Sequence, residues 1–64
     1  MKFFEDPIFW IKSNDPEYPY KTNFNGVHMS LRMNDFPEAR LYTLIVEGII
    51  IESFDEWPPT WGRG

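Results

Sequence analysis

His28 and Ser30, two residues apart in "NGVHMSLRM", are this chain's nearest approach to a general base beside a nucleophile. Acyl transfer needs the imidazole within hydrogen-bond reach of the hydroxyl and a third group to orient it. In a strand, residues i and i+2 stand side by side on one face rather than pointing at each other. The pair therefore reads as an exposed strand histidine next to a serine, and no enzyme is expected. No catalytic residue is assigned. One histidine and no cysteine also exclude disulfides, thiolate metal sites and the usual zinc constellations.

The acidic residues offer a second chemistry. Asp35 and Glu38 lie between Arg32 and Arg40 in sequence, and Asp55 and Glu56 follow the strand expected near 49–54. If strand ends bring them together, they form an acidic pole with several carboxylate oxygens, the donor set of Ca²⁺ or Mg²⁺. Their spacing follows no regular calcium loop, and Asp35 and Asp55 suit turn capping and pairing with the two arginines. No cofactor and no structural metal are expected, and divalent affinity at the pole should be millimolar at best. A third candidate, Trp57-Pro58-Pro59-Thr60-Trp61, suits either a polyproline segment for an aromatic groove or a lid that closes a small core. The lid is the expected role, because sixty-four residues have little else to make a core from.

These residues need a scaffold. A domain of this size is marginal on a single core and usually relies on disulfides, metals or association. Here the compensation is aromatic: three Trp, three Tyr and six Phe, each able to bury roughly 150–250 Å². The formal net charge of −4 repels phosphate backbones, so nucleic acid is not an expected partner despite the aromatic rings. No apolar run approaches the ~20 residues that cross a bilayer. The start of the chain carries acids where an export signal needs an apolar stretch. No membrane association and a cytoplasmic location are the expectations.

Two hairpins organise the middle. Asn25-Gly26 is the strongest two-residue turn signal, since both positions of a type I′ turn need φ > 0. Pairing outward from it sets Phe24 opposite Val27, Thr22 opposite Met29 and Tyr20 opposite Leu31 on one face. Asn23, His28, Lys21 and Ser30 fall on the other. Glu47-Gly48 marks the second hairpin, in "LYTLIVEGIIIESF". A two-residue loop pairs Val46 with Ile49, Ile45 with Ile50, Leu44 with Ile51, Thr43 with Glu52 and Tyr42 with Ser53. A type I turn with Gly48 in a bulge is the alternative, because glutamate is a poor residue for φ > 0. Either way both faces are apolar near the turn: Val46, Ile49, Leu44, Ile51 and Tyr42 on one, and Ile45, Ile50, Leu41 and Phe54 on the other. Such a hairpin must be covered twice.

The expected fold is mainly β: one domain over residues 1–64, a small antiparallel meander of four to five strands with N- and C-terminal aromatic segments packed on the sheet. Strands are expected near 18–24, 27–33, 41–46 and 49–54, with a fifth near 8–12. Residues 7–13 have strand composition, although Asp6-Pro7 followed by Ile8 and Ile11 also suits a helix start.

From Arg32 onward the chain, through Asn34-Asp35-Phe36-Pro37, Leu41-Tyr42-Thr43-Leu44, Gly48, Phe54-Asp55, Trp57-Pro58 and Trp61, resembles a family of short uncharacterised bacterial proteins with the pattern NDFP…LYTL…G…FDDWP..W. The likeness covers about half the chain, and it departs at Ala39 and Glu56. It implies a small bacterial all-β protein and no particular activity.

The functional expectation is a small non-enzymatic protein-interaction domain, with a toxin-neutralising immunity-type protein as its more specific form. The acidic balance suits a basic partner. Ile45, Ile50, Phe54, Trp57 and Trp61 are the expected contact residues, toward a protein partner or a second copy. The alternative is a small-ligand or weak divalent-metal binder that uses the acidic pole.

Overall fold

A computed structural model of the chain describes residues 3–64. A 3₁₀ turn, Phe3–Glu5, leads into β1 (Phe9–Lys12), β2 (Tyr20–Phe24), β3 (Val27–Met33), β4 (Tyr42–Val46), β5 (Ile49–Phe54) and the short β6 (Gly62–Arg63). All six join one sheet in the order β5-β4-β3-β2-β1-β6. Every pairing is antiparallel except β1 with β6, which is parallel. The fold is mainly β, as its alternating pattern requires, with one strand more than the four to five expected. Residues 9–12 form a strand and not a helix. No helix of the described residues is long and apolar enough to cross a membrane.

The first hairpin follows its turn. Asn25 (φ 53°) and Gly26 (φ 78°) both take the left-handed conformation of a type I′ turn. The five pairs from Phe24–Val27 to Tyr20–Leu31 form as expected. Met29 and Leu31 are fully buried on the core face, while Asn23, His28 and Lys21 are exposed on the other.

The second hairpin departs from expectation in two places. Its turn is also type I′, with Glu47 at φ 51° and Gly48 at φ 80°. A non-glycine residue there is strained, but Glu47 gains two bonds to the neighbouring strand. Its N–H donates to the His28 carbonyl (2.9 Å), and its carboxylate accepts from the His28 N–H (2.7 Å). The second departure is the register. Val46–Ile49 and Ile45–Ile50 pair as expected, and then the ladder slips: Leu44 pairs with Glu52, Thr43 with Ser53, Tyr42 with Phe54. Ile51 is the extra residue of a β-bulge. Because side-chain direction alternates with period two, one inserted residue reverses the facing of everything after it. Phe54, expected on the outer face with Ile45 and Ile50, is therefore in the core at 8% exposure.

The core combines Ile8, Trp10, Met29, Leu31, Leu44, Phe54 and Trp61. Trp61 lies at its centre, with its ring 5.1 Å from Trp10, 5.6 Å from Phe4, 5.6 Å from Phe54 and 5.6 Å from Trp57. The indole N–H donates to the Phe3 carbonyl at 2.8 Å. Burying Trp10 leaves its own indole N–H without a partner among the described residues. That omission costs about 1–3 kcal/mol. Burial of the ring contributes roughly 4–6 kcal/mol at 25 cal/mol per Å², so the packing wins.

β6 is held by backbone and by one ring. Gly62 N–H donates to the Ile8 carbonyl (2.9 Å) and Gly64 N–H to the Trp10 carbonyl (3.0 Å). Phe9 pairs with Gly62 and its ring packs closely against it: a Cβ at position 62 would meet the ring at 2.9 Å. The phenylalanine thus shields the backbone of a glycine edge strand, which accounts for its own 59% exposure.

Register and burial give two stability predictions. Phe54→Ala should cost about 3–5 kcal/mol, while Ile50→Ala, on the solvent side, should stay within about 0.5 kcal/mol. Urea denaturation decides, and equal losses would contradict the bulge. Gly26→Ala should cost about 1 kcal/mol from left-handed strain alone, because no atom lies within 4 Å of the added methyl.

Candidate interaction surface

The expected contact residues divide into two sets. Phe54 and Trp61 (5% exposed) are core residues with almost no surface for a partner, a correction that follows from the bulge and from the plugging role of Trp61. Trp57 is half-buried, edge-on to Tyr20 at 5.4 Å and Tyr42 at 5.9 Å, and donates its N–H to the Trp61 carbonyl at 3.0 Å. The Arg63 guanidinium lies 4.6 Å from its ring centre, a cation–π contact. The segment Trp57–Trp61 is thus the expected lid.

Ile45 and Ile50 behave differently. They pair on the outer face, at one end of a row that runs Ile11, Lys21, Ser30, Ile45, Ile50 across five strands. Ile45 is half-buried; Ile50 is 65% exposed, and its neighbour Ile49 is 64% exposed. Ile11 is also exposed, at the far end of the row, but Lys21 and Ser30 separate it from the isoleucine pair. The apolar corner is therefore local to β4, β5 and their turn. β5 is an edge strand with no neighbour on its outer side among the described residues.

At the opposite end of the hairpin from its turn, the four acids of the pole are all exposed and line three hollows, one of which brings Glu38 and Asp55 together beside Arg40. Asp35 and Glu38 line one of about 490 Å³ together with Glu17 and Arg32. Arg32 pairs with Glu17 at 3.3 Å, a partner the sequence spacing did not suggest. Asp55 and Glu56 line another, of about 460 Å³, with Arg40 and Glu52. Phe4, Phe54, Trp57 and Pro59 supply its apolar walls. Among the described residues, no three histidine, aspartate or glutamate side chains come near enough to share one metal ion. Glu52 is the member that sequence reasoning missed, because the unbulged register assigned it to the other face.

Asp55 is fixed by two bonds. One carboxylate oxygen accepts from the Leu41 N–H at 2.9 Å, and the other accepts from Arg40 Nη1 at 3.1 Å. It ties the end of β5 to the start of β4. Thr43 on the outer face is buried in a polar trio, accepting from Asn34 Nδ2 at 2.7 Å and lying 2.8 Å from the Ser53 hydroxyl. His28 is exposed opposite Asn23, and Ser30 is buried between neighbours.

Two substitutions separate the roles at Asp55. Asp55→Ala should cost about 1–2 kcal/mol, since it removes a charge-assisted bond to the backbone. Arg40→Ala should cost less than about 0.5 kcal/mol, because the ion pair is solvated. Chemical denaturation of both variants checks the order.

No family model, curated protein or solved structure matches this chain, so the surface itself is the guide to what it does.

Proposed function

We propose that this chain is a non-enzymatic protein-interaction domain whose partner lies along β5. The supporting observation is that Ile49 and Ile50, adjacent in sequence, are each nearly two-thirds exposed on the free edge strand. Large aliphatic side chains placed together at a sheet edge favour association, and natural edges normally avoid them.

Charge favours a basic partner over a second copy. Antiparallel self-pairing that matches Ile49 with Phe54 of the other copy brings Glu47 opposite Glu56, twice by symmetry. Like charges placed opposite destabilise a ladder, and each copy brings a net charge of −4. A partner with lysines or arginines flanking apolar residues meets the opposite situation. The finer form of this proposal is a cytoplasmic, toxin-neutralising immunity-type role, in which the basic partner is the toxin.

The test uses a six-residue peptide alternating isoleucine and lysine, titrated into the protein while backbone amide shifts are followed. Shifts should concentrate at residues 47–54, and Ile50→Asn should weaken binding by about tenfold or more. Shifts confined to the β1–β6 side, or no effect of the substitution, would refute the proposal. In sedimentation the protein alone should remain monomeric; a dimer that Ile50→Glu dissociates would replace the basic partner with a second copy.

A further inference from the structure

We propose that the hollow beside β5 is a receptor for a guanidinium group, filled by an arginine side chain of the partner. The proposal rests on the reading of β5 as the contact edge only for the source of that arginine; the hollow's own chemistry is independent of it.

Three features lead to this ligand. The first is charge. Glu52, Asp55 and Glu56 line the hollow against one arginine, Arg40. Arg40 is already committed to Asp55 at 3.1 Å. Among the described residues, neither Glu52 nor Glu56 has an ion-pair partner. Among the described residues, the hollow thus presents a surplus of two carboxylates. The second feature is the wall. Phe4 and Trp57, both half-buried, give it aromatic surface, which attracts cations through the ring quadrupole. Guanidinium, being planar and weakly hydrated, both stacks on such rings and forms forked hydrogen bonds with carboxylates; a compact, strongly hydrated ammonium does the first poorly. Trp57 already carries one guanidinium, that of Arg63 at 4.6 Å, and Arg63 is not among the hollow's walls. The third feature is position. Glu52 and Phe54 belong to β5 itself, and Asp55 to Trp57 continue from it. A chain seated on Ile49 and Ile50 therefore runs toward the hollow.

Two further hollows lack this combination. The one at Glu17 has no aromatic wall and contains the Arg32–Glu17 pair. A smaller one, about 270 Å³, sets Glu38 and Asp55 against Arg40 and has Phe36 as its single ring.

The probe is acetyl-arginine methylamide, titrated into the full chain with detection by Trp and Phe side-chain NMR shifts. Acetyl-citrulline methylamide, a neutral near-isostere, and acetyl-lysine methylamide are the comparisons. The arginine probe should shift Phe4 and Trp57 at millimolar concentration. Citrulline should bind at least about tenfold more weakly, with lysine between them. The double variant Glu52→Gln, Glu56→Gln changes only exposed side chains, so it should keep the wild-type melting temperature while losing arginine binding. Arg40→Gln, which frees Asp55, should tighten it, and added salt should weaken it. Equal binding of arginine and citrulline, shifts away from the hollow, or an unaffected double variant would overturn the proposal. Ile50→Asn separates it from the β5 reading: that variant should lose the isoleucine–lysine peptide yet still bind the arginine probe. In the wild-type chain, a working hollow with no peptide binding at residues 47–54 would overturn the edge reading alone, and peptide binding there without arginine-probe binding would overturn the hollow alone.

Discussion

The structure depends on where the Trp61 ring sits. β5 and β6 are the two edges of a six-stranded sheet, and no ladder joins them. Trp61, immediately before β6, touches Trp10 on β1 and Phe54 on β5 with the same indole. The sheet is thus strongly coiled, and its concave side is closed by one aromatic residue rather than by hydrogen bonds. Backbone contacts support that placement: Trp61 N–H donates to the Pro58 carbonyl, and its indole N–H reaches Phe3. With no disulfide available, this cluster carries the stabilisation that a chain of this size otherwise lacks.

Closing the concave side commits the surface. Once Trp61 and Phe54 are interior, the exposed aliphatic residues of β5 are Ile49 and Ile50, at the turn, while the far end of the strand bears Glu52, Asp55 and Glu56. Exposed aliphatic side chains and surplus carboxylates therefore occupy successive parts of one edge, and the proposed partner would meet both. The bulge at Ile51 lies between them, and it also disturbs the edge, a device that discourages indiscriminate strand pairing.

Sequence reasoning placed the first hairpin pair by pair, because Asn25-Gly26 admits essentially one turn type and the alternation of polar and apolar residues leaves a single register. It located β1 through β5 for the same reason. It missed β6, since Gly62 and Arg63 have no strand propensity; that strand exists because Phe9 covers the glycine and because carbonyls of Ile8 and Trp10 were waiting for donors. It also put Phe54 on the wrong face and left Glu52 out of the hollow. In "EGIIIESF" every position near the turn is apolar, so pattern alone could not show that one isoleucine is supernumerary.

The sequence by itself thus determined the class of fold, the two I′ turns as turn positions, the aromatic basis of the core and the acidic character of the surface. These follow from local backbone preference, side-chain period and composition, which act without knowledge of distant partners. Tertiary structure decided the bulge, and with it the facing of Phe54; the pairing of Arg32 with Glu17; and the meeting of Phe4, Glu52 and Trp57 around one hollow. Each of these is settled by packing between separate elements rather than by local pattern. A register slip is affordable only when the shifted ring finds a place in the core, and here Trp61, from seven residues further along, supplies it.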